Sequence, residues 1–512
     1  MLLVHPPVAK PSEPPAGLAR LSGALSSHGV EHRILDANLE GLLAVLSSPA
    51  IKSDTWTKRA VRDRARSLDV LRTRHGYTDI GRYKTAVANL HRLLRICSSP
   101  ETSHLTFADY GDRYLSPLKS ADLLQIAEHP EKSLFYSHFK DRLTVLIERS
   151  GTALVGFSLN YLSQSLSVFA MAGFVKKVFP DIKVVLGGSL LTSWMRRDAW
   201  RNQFKGLIDH AIGGPGEAPL LSLVGKKADH DASYSPSYGL FPLEDYLAPG
   251  LILPYSSSSG CYWNKCRFCP ERAEGNTYSQ IPPFSAAHEL RILAAARTRP
   301  VLLHLTDNAV SPALMESFFT TPPGVPWYGF ARITRHLTDP DFCMALKRSG
   351  CVMLKLGLES GNQRVLDSMQ KGNNLEWSSA ALKSLKRAGI GTYVYLLFGT
   401  PWETVVEARE TLDFTVRHAP YIDFLNVAVF NLPANSPDAV KLDVRNFYDG
   451  DLSLCTDFTH PQGWDRRQVR HFLDKEFKRQ PAVQAIIRNH PPAFGSNHAP
   501  FFLMRNDRGA QK

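Results

Sequence analysis

Three cysteines lie within nine residues, in Ser259-Gly260-Cys261-Tyr262-Trp263-Asn264-Lys265-Cys266-Arg267-Phe268-Cys269-Pro270. Three thiolates on one short loop can each bind one iron of a cubane cluster, which leaves the fourth iron without a protein ligand. An open iron can chelate a small molecule that offers an amine and a carboxylate. Zinc is the alternative, because Cys-x2-Cys is a common zinc half-site. A closed zinc site needs four ligands, and the nearest downstream histidine, His288, falls in a predicted helix. Cys97, Cys343, Cys351 and Cys455 are scattered. They read as buried thiols, not as a disulfide framework.

Such a loop needs a scaffold, and the chain offers two. Apolar runs at 1–4 and 31–35 flank a helix over 17–27, a β-α-β opening. Residues 40–148 read as a mostly helical insertion. The alternation resumes with strands at 153–158, 183–186 and 207–212 and a helix over 163–179. Strands alternating with helices predict an α/β fold, here a Rossmann-like doubly wound parallel sheet over 1–224. Its ligands bind at the carboxyl ends of strands, where Gly187-Gly188-Ser189 and Gly213-Gly214-Pro215-Gly216-Glu217 fall. Residues 225–255 are polar and proline-containing, which suits a linker. From 256 to 435 strands at 301–305, 327–333, 353–358, 392–398 and 424–430 predict a partial (β/α) TIM-type barrel. The cysteine loop stands near its start, where barrel active sites are built. Residues 436–512 read as an irregular C-terminal extension with one helix near 465–478. Its apolar stretch at 494–502 reads as core packing, with a fold-back over the barrel mouth as the other reading.

The 512 residues suggest about three domains, and 44% hydrophobic with 21% charged residues is ordinary for a globular protein. The start lacks the basic and apolar regions of a signal peptide, and no run reaches the roughly 18 apolar residues of a membrane span. A cytoplasmic location is therefore expected. The net charge is +12, and residues 51–100 hold 12 Lys and Arg against four acids. No aromatic platform or nucleic-acid motif accompanies them, so they read as a solvated helical face and nucleic acid is not an expected partner.

The segment 260–269, with Phe268 just before the third cysteine, resembles the radical S-adenosylmethionine superfamily. One departure is plain: the usual spacing is Cys-x3-Cys-x2-Cys, and this chain has Cys-x4-Cys-x2-Cys. Leu356-Gly357-Leu358-Glu359-Ser360-Gly361 resembles the strand-to-helix turn these enzymes share. The resemblance implies a [4Fe–4S] cluster on Cys261, Cys266 and Cys269. It also implies S-adenosylmethionine contacts from Phe268, Asp307, Arg332, Glu359 and Ser360. Phe398-Gly399-Thr400-Pro401-Trp402-Glu403 resembles the family's Gly-x-Pro-Gly-Glu turn, with Trp402 in place of glycine.

The amino-terminal sheet resembles the cobalamin-binding domain that precedes many such cores. The matching residues are Pro6, Ser158, Gly187, Gly188, Ser189, Gly213, Gly214, Gly216 and Glu217. The Asp-x-His-x-x-Gly pattern that ligates cobalt is absent, since Asp209 and His210 are adjacent, so no histidine ligand is expected. The resemblance implies reductive cleavage of S-adenosylmethionine and methylation of an unactivated carbon. The alternative is rearrangement, cyclisation or oxidation without methyl transfer. Methylthiolating enzymes share this core but use three further amino-terminal cysteines, and only Cys97 precedes the motif here. A non-catalytic zinc module is the reading from another class. The expected partners are a small-molecule or peptide substrate and an external electron donor of flavodoxin or ferredoxin type.

Overall fold

The computed structural model describes residues 1–49, 54–98, 101–197, 200–228, 233–296, 299–492 and 498–507. The chain divides into two compact units. The first holds residues 1–251 together with Tyr448–Ser453, and the second begins at Ile252.

In the first unit β1 (Leu2–Val4) and β2 (Arg33–Leu35) open a parallel sheet. A hairpin of β3 (Ser103–Leu105) and β4 (Tyr110–Asp112) lies within the otherwise helical insertion. β5 (Leu154–Ser158), β6 (Lys183–Gly187) and β7 (His210–Ala211) complete the sheet in the order β2-β1-β5-β6-β7. Every strand is parallel to its neighbour, and the central ones are buried apolar runs, as helix-covered sheets require. The helix Leu162–Val178 is buried on all sides over 164–175. Gly173 admits the Ala127 carbonyl of a second helix against its Cα, a crossing no side chain would allow.

The basic insertion pairs part of its charge internally. Asp54 caps Thr57 N at 3.0 Å and pairs with Arg92 at 2.7 Å. Asp63 pairs with Arg62 at 3.0 Å, and Asp79 caps the helix Ile80–Cys97. Lys58, Arg59, Arg62 and Arg66 stand exposed.

The second unit is built on six parallel strands. They are β8 (Ile252–Tyr255), then, after a short antiparallel pair of β9 (Ser258–Ser259) and β10 (Ser279–Gln280), β11 (Leu302–Leu305), β12 (Trp327–Ala331), β13 (Cys351–Glu359), β14 (Gly391–Phe398) and β15 (Phe424–Val429). Their order is β15-β14-β13-β12-β11-β8, with amphipathic helices between successive strands. This is the partial barrel.

Two expectations need correction. The segment 225–255 is not a free linker. Ser237 N donates to Ala19 O at 2.8 Å and Leu247 N to Pro11 O at 2.8 Å, so it is stitched to the first unit. Its last four residues are β8, paired from Ile252–Leu302 to Tyr255–Leu305. Pro254 hides this strand in the sequence, and it is tolerated because β8 is the sheet's edge. The extension after 436 is also more ordered than expected. It carries β17 (Val444–Asn446) and β18 (Cys455–Phe458), which join β16 (Leu432–Pro433) just before it in a small antiparallel sheet, then helices Arg466–Lys475, Pro481–Arg488 and His498–Asp507. The apolar tail follows its core-packing reading, at the amino ends of the strands and not over the mouth. The His498 ring stacks on Tyr393 at 4.4 Å, and Phe502 covers Gly391. Residues 494–497 of that stretch lie outside the described residues.

Gly188 turns the chain beyond β6 with φ +113°, and a Cβ there would strike the Leu159 carbonyl. Gly188→Ala should therefore lower the unfolding free energy by about 1–3 kcal/mol, read as an earlier denaturation midpoint in urea. A variant as stable as the native chain would refute this account of the turn.

Candidate active site at the barrel mouth

The loop from Ser256 to Cys269 leaves the carboxyl end of β8 and has little regular structure of its own, so neighbours must hold it. Asp307, just past β11, is fully buried and does most of this at the start. Its carboxylate accepts from Ser257 N at 3.2 Å, Ser257 Oγ at 2.7 Å and Ser258 Oγ at 2.5 Å. Asp307 was expected to face S-adenosylmethionine, but its oxygens are taken by this serine turn. Asn308 Nδ2 donates to Gly260 O at 3.0 Å. Gly260 itself has φ +70°, and a Cβ would come within 2.7 Å of Thr277 O.

The outer half of the loop docks on residues 368–373, just after the helix Gln363–Ser368. Arg267 N donates to Met369 O at 2.9 Å, and Trp263 Nε1 to Gln370 O at 3.0 Å. The Trp263 ring lies flush on Gly372, whose φ of +70° and missing side chain make the room. Arg267 is paired with Asp438 and stacks on Trp402 at 4.5 Å. Trp402 is the residue that departs from the family's turn.

Of the three thiols, Cys266 is buried, and Cys261 and Cys269 are half-buried. Burial pushes the Cys269 thiol up to about 11. Burial also raises Cys266, against the opposing pull of Lys371 and Arg332. Among the described residues no three His, Cys, Asp or Glu side chains converge on a point that a single ion could fill. The donor set fits an iron–sulfur cubane, which spreads its thiolates over separate irons. Two cationic groups beside Cys266 fit the negative charge such a group would bring.

Those cations are Arg332 and Lys371. Arg332, beyond the end of β12, is buried and sends Nη1 to Cys266 Sγ at 3.7 Å and Nη2 to the Lys371 carbonyl. Its guanidinium lies 4.3 Å from the Trp263 ring. Lys371 Nζ sits 2.7 Å from Glu359 Oε1 and 5.5 Å over the Phe268 ring. Glu359 ends β13 in the left-handed region, φ +66°, after a register shift at Gly357. A Cβ on Gly357 would sit 2.5 Å from the Glu359 carboxylate and 2.6 Å from the Lys371 ammonium, so glycine is what admits the ion pair. Ser360 was expected beside Glu359 at the ligand. It is instead fully buried, with Oγ 3.2 Å from Thr411 Oγ1 and accepting from Asn362 N at 3.1 Å. The left-handed step at Glu359 turns the two side chains apart. Sequence reasoning missed Trp263, Arg267, Lys371 and Asp438. The only trace of them was Gly372, a glycine that follows a lysine just after a helix.

In the first unit a cavity of about 220 Å³ lies on the sheet, with Leu3, Gly156 and Val185 as its floor. Ser158, Gly187, Gly188, Gly214, Gly216 and Glu217 line it, and an Arg20–Glu217 ion pair at 3.0 Å borders it. Three expected residues do not. Pro6 O accepts from Gln164 Nε2 at 2.8 Å, Ser189 N donates to Asn160 Oδ1 at 3.0 Å, and Gly213 lies against Met195.

Glu403 follows β14 and is buried, with Oε2 accepting from Gly399 N at 2.5 Å and Trp464 Nε1 at 3.1 Å. Oε1 has no partner among the described residues. Burial lifts its carboxyl from 4.5 to about 8. Between those values the folded chain keeps a proton that the unfolded chain releases. Stability from this group therefore falls as pH rises from about 4.5 to 8, by at most about 1.4 kcal/mol per pH unit. Glu403→Gln, which keeps the accepting oxygen, should flatten the dependence of the thermal midpoint on pH in that window. An unchanged slope would sink this assignment.

Residues 255–415 match the Radical SAM superfamily. An uncharacterised methyltransferase of Pyrococcus horikoshii is 26% identical over 211 residues, covering 40% of this chain and 44% of its own length. The anaerobic magnesium-protoporphyrin IX monomethyl ester cyclase of Rubrivivax gelatinosus is 23% identical over 60% of this chain and 63% of its own. The chain thus spans less than two thirds of either relative. Among solved structures, the radical S-adenosylmethionine methyltransferase TsrM from Kitasatospora setae, with tryptophan substrate and a SAM analogue bound, superposes with TM-score 0.58 at 16% identity. It covers 97% of this chain and 90% of its own. The same protein with cobalamin and a [4Fe–4S] cluster bound gives 0.54 at 15% identity, covering 97% and 89%. Residues 255–415 are therefore a radical SAM domain, within a chain that shares the fold of a radical S-adenosylmethionine methyltransferase.

Proposed function

We propose that this chain is a cobalamin-dependent radical S-adenosylmethionine enzyme that methylates an unactivated carbon of a small-molecule or peptide substrate. The observation that carries the reading is a loop with three cysteines at a barrel-strand end, held rigidly and flanked by two buried cations. Bound there, a [4Fe–4S] cluster with S-adenosylmethionine would supply a carbon radical, and cobalamin a transferable methyl group. Cys261, Cys266 and Cys269 hold the cluster. Glu359, fixed by Lys371, presents a carboxylate at the mouth that accepts from the amine or ribose hydroxyls of the cosubstrate. Phe268 and Trp263 wall the loop against water. The glycine-floored cavity of the amino-terminal unit takes the flat base of the cobalamin nucleotide tail. An external flavodoxin- or ferredoxin-type donor provides the electron.

A second reading has its own support. One relative, matched over 60% of this chain, is named a cyclase, which favours ring closure or oxidation without methyl transfer. Product counting separates the two. With a competent substrate, methylation yields both 5′-deoxyadenosine and S-adenosylhomocysteine, and the alternative yields only the first. Anaerobically reconstituted protein should carry about four irons and four sulfides per chain. A triple Cys261→Ala, Cys266→Ala, Cys269→Ala variant should carry none and make no 5′-deoxyadenosine. A native chain that loads zinc, or loads iron and leaves S-adenosylmethionine intact under strong reductant, would overturn the reading.

A further inference from the structure

Arg332 is a buried cation with no carboxylate among its described partners. They are the Lys371 carbonyl, the Cys266 sulfur at 3.7 Å and the face of Trp263 at 4.3 Å. Burying a guanidinium without an anion is strongly unfavourable. The stacked ring and the carbonyl offset only part of that. The neighbour able to supply the missing negative charge is Cys266 itself, once its sulfur is an iron-bound thiolate.

The geometry also explains why the guanidinium points there. Trp263 belongs to the four-residue spacer between Cys261 and Cys266, one residue longer than the usual three. Its ring is pinned by Nε1 on Gln370 O and by contact with Gly372, and it carries Lys265 at 5.0 Å as well. A cation over an indole is attracted to the ring face, most strongly where water is excluded. The spacer thus supplies a platform that holds the fork of Arg332 against one ligand sulfur.

We propose that Arg332, held on Trp263, raises the reduction potential of the iron–sulfur cluster through Cys266 and is a positioning and tuning residue, not a contact to S-adenosylmethionine. This rests on the cluster reading above. One-electron reduction adds a negative charge to the cluster. A fixed cation and a hydrogen bond at a ligand sulfur favour that state.

The test is an anaerobic redox titration followed by electron paramagnetic resonance, without S-adenosylmethionine, on the native chain and on Arg332→Gln, Arg332→Lys and Trp263→Leu. Iron and sulfide are counted for each. The expected result is native-like loading, with the midpoint shifted to lower potential in Arg332→Gln. Smaller shifts in the same direction are expected for Arg332→Lys, which keeps the charge without the fork, and for Trp263→Leu, which frees the guanidinium. If the variants load fully and the midpoint does not move, the proposal is wrong. Unmoved midpoints, with weaker S-adenosylmethionine binding by equilibrium dialysis of the same loaded variants, would assign Arg332 to the cosubstrate instead. If neither Arg332 variant loads while both stay folded, Arg332 assembles the loop and tunes nothing. Failure of the native chain to load iron would refute the cluster reading itself, a separate result.

Discussion

A loop that must offer three sulfurs in fixed directions, yet forms no helix or strand to hold them, has to borrow rigidity from its surroundings. That constraint organises the second unit. Asp307 gathers the serine turn at the loop's start with three hydrogen bonds. The strip at 368–373 receives its far side through backbone carbonyls and a bare glycine. The barrel strands contribute mainly by placing these two supports at their carboxyl ends. Loss of Asp307 would leave the paired serine hydroxyls and an amide without an acceptor in a buried place, where an unmade hydrogen bond costs about 1–3 kcal/mol.

Charge placement follows from the same economy. Asp307, Arg332 and Lys371 lie buried around the mouth, and the Glu359 side chain is only 12% exposed. Asp307 is satisfied by neutral donors and stays within the loop. Glu359 and Lys371 satisfy each other, and Gly357 keeps the space between them open. Only Arg332 is left with neutral partners among the described residues. The site is thus arranged with one positive charge in excess, beside the most buried of the three thiols.

The chemistry-bearing types were legible in the sequence, since the cysteine spacing, the strand alternation and the glycine-rich strand ends depend only on local pattern. Side-chain direction was not. Ser360 and Glu359 are adjacent, and whether both face the mouth depends on one left-handed residue and one register shift, neither of which alternation reveals. Asp307 reads as a strand-end ligand, but the run of serines at 256–259 reaches it first. β8 was hidden because a proline inside an apolar run signals a linker unless the strand is known to be an edge. In the amino-terminal sheet Ser158, Gly187, Gly188, Gly214 and Gly216 line the cavity, and Ser189 and Pro6 serve turns through Asn160 and Gln164.

Two tryptophans mark where this chain leaves the family's pattern, and they do related work. Trp263 occupies the lengthened cysteine spacer, and Trp402 replaces a glycine in the turn after β14. Each carries an arginine on its face, Arg332 at 4.3 Å and Arg267 at 4.5 Å. The electrostatics differ. Arg267 is neutralised by the buried carboxylate of Asp438, so it can only clamp the loop to its support. Arg332 has no such acid. The same stacking geometry therefore gives a mechanical anchor in one case and a buried, unneutralised charge beside the Cys266 sulfur in the other. What separates the two roles is a single carboxylate, present on one side of the loop and missing on the other.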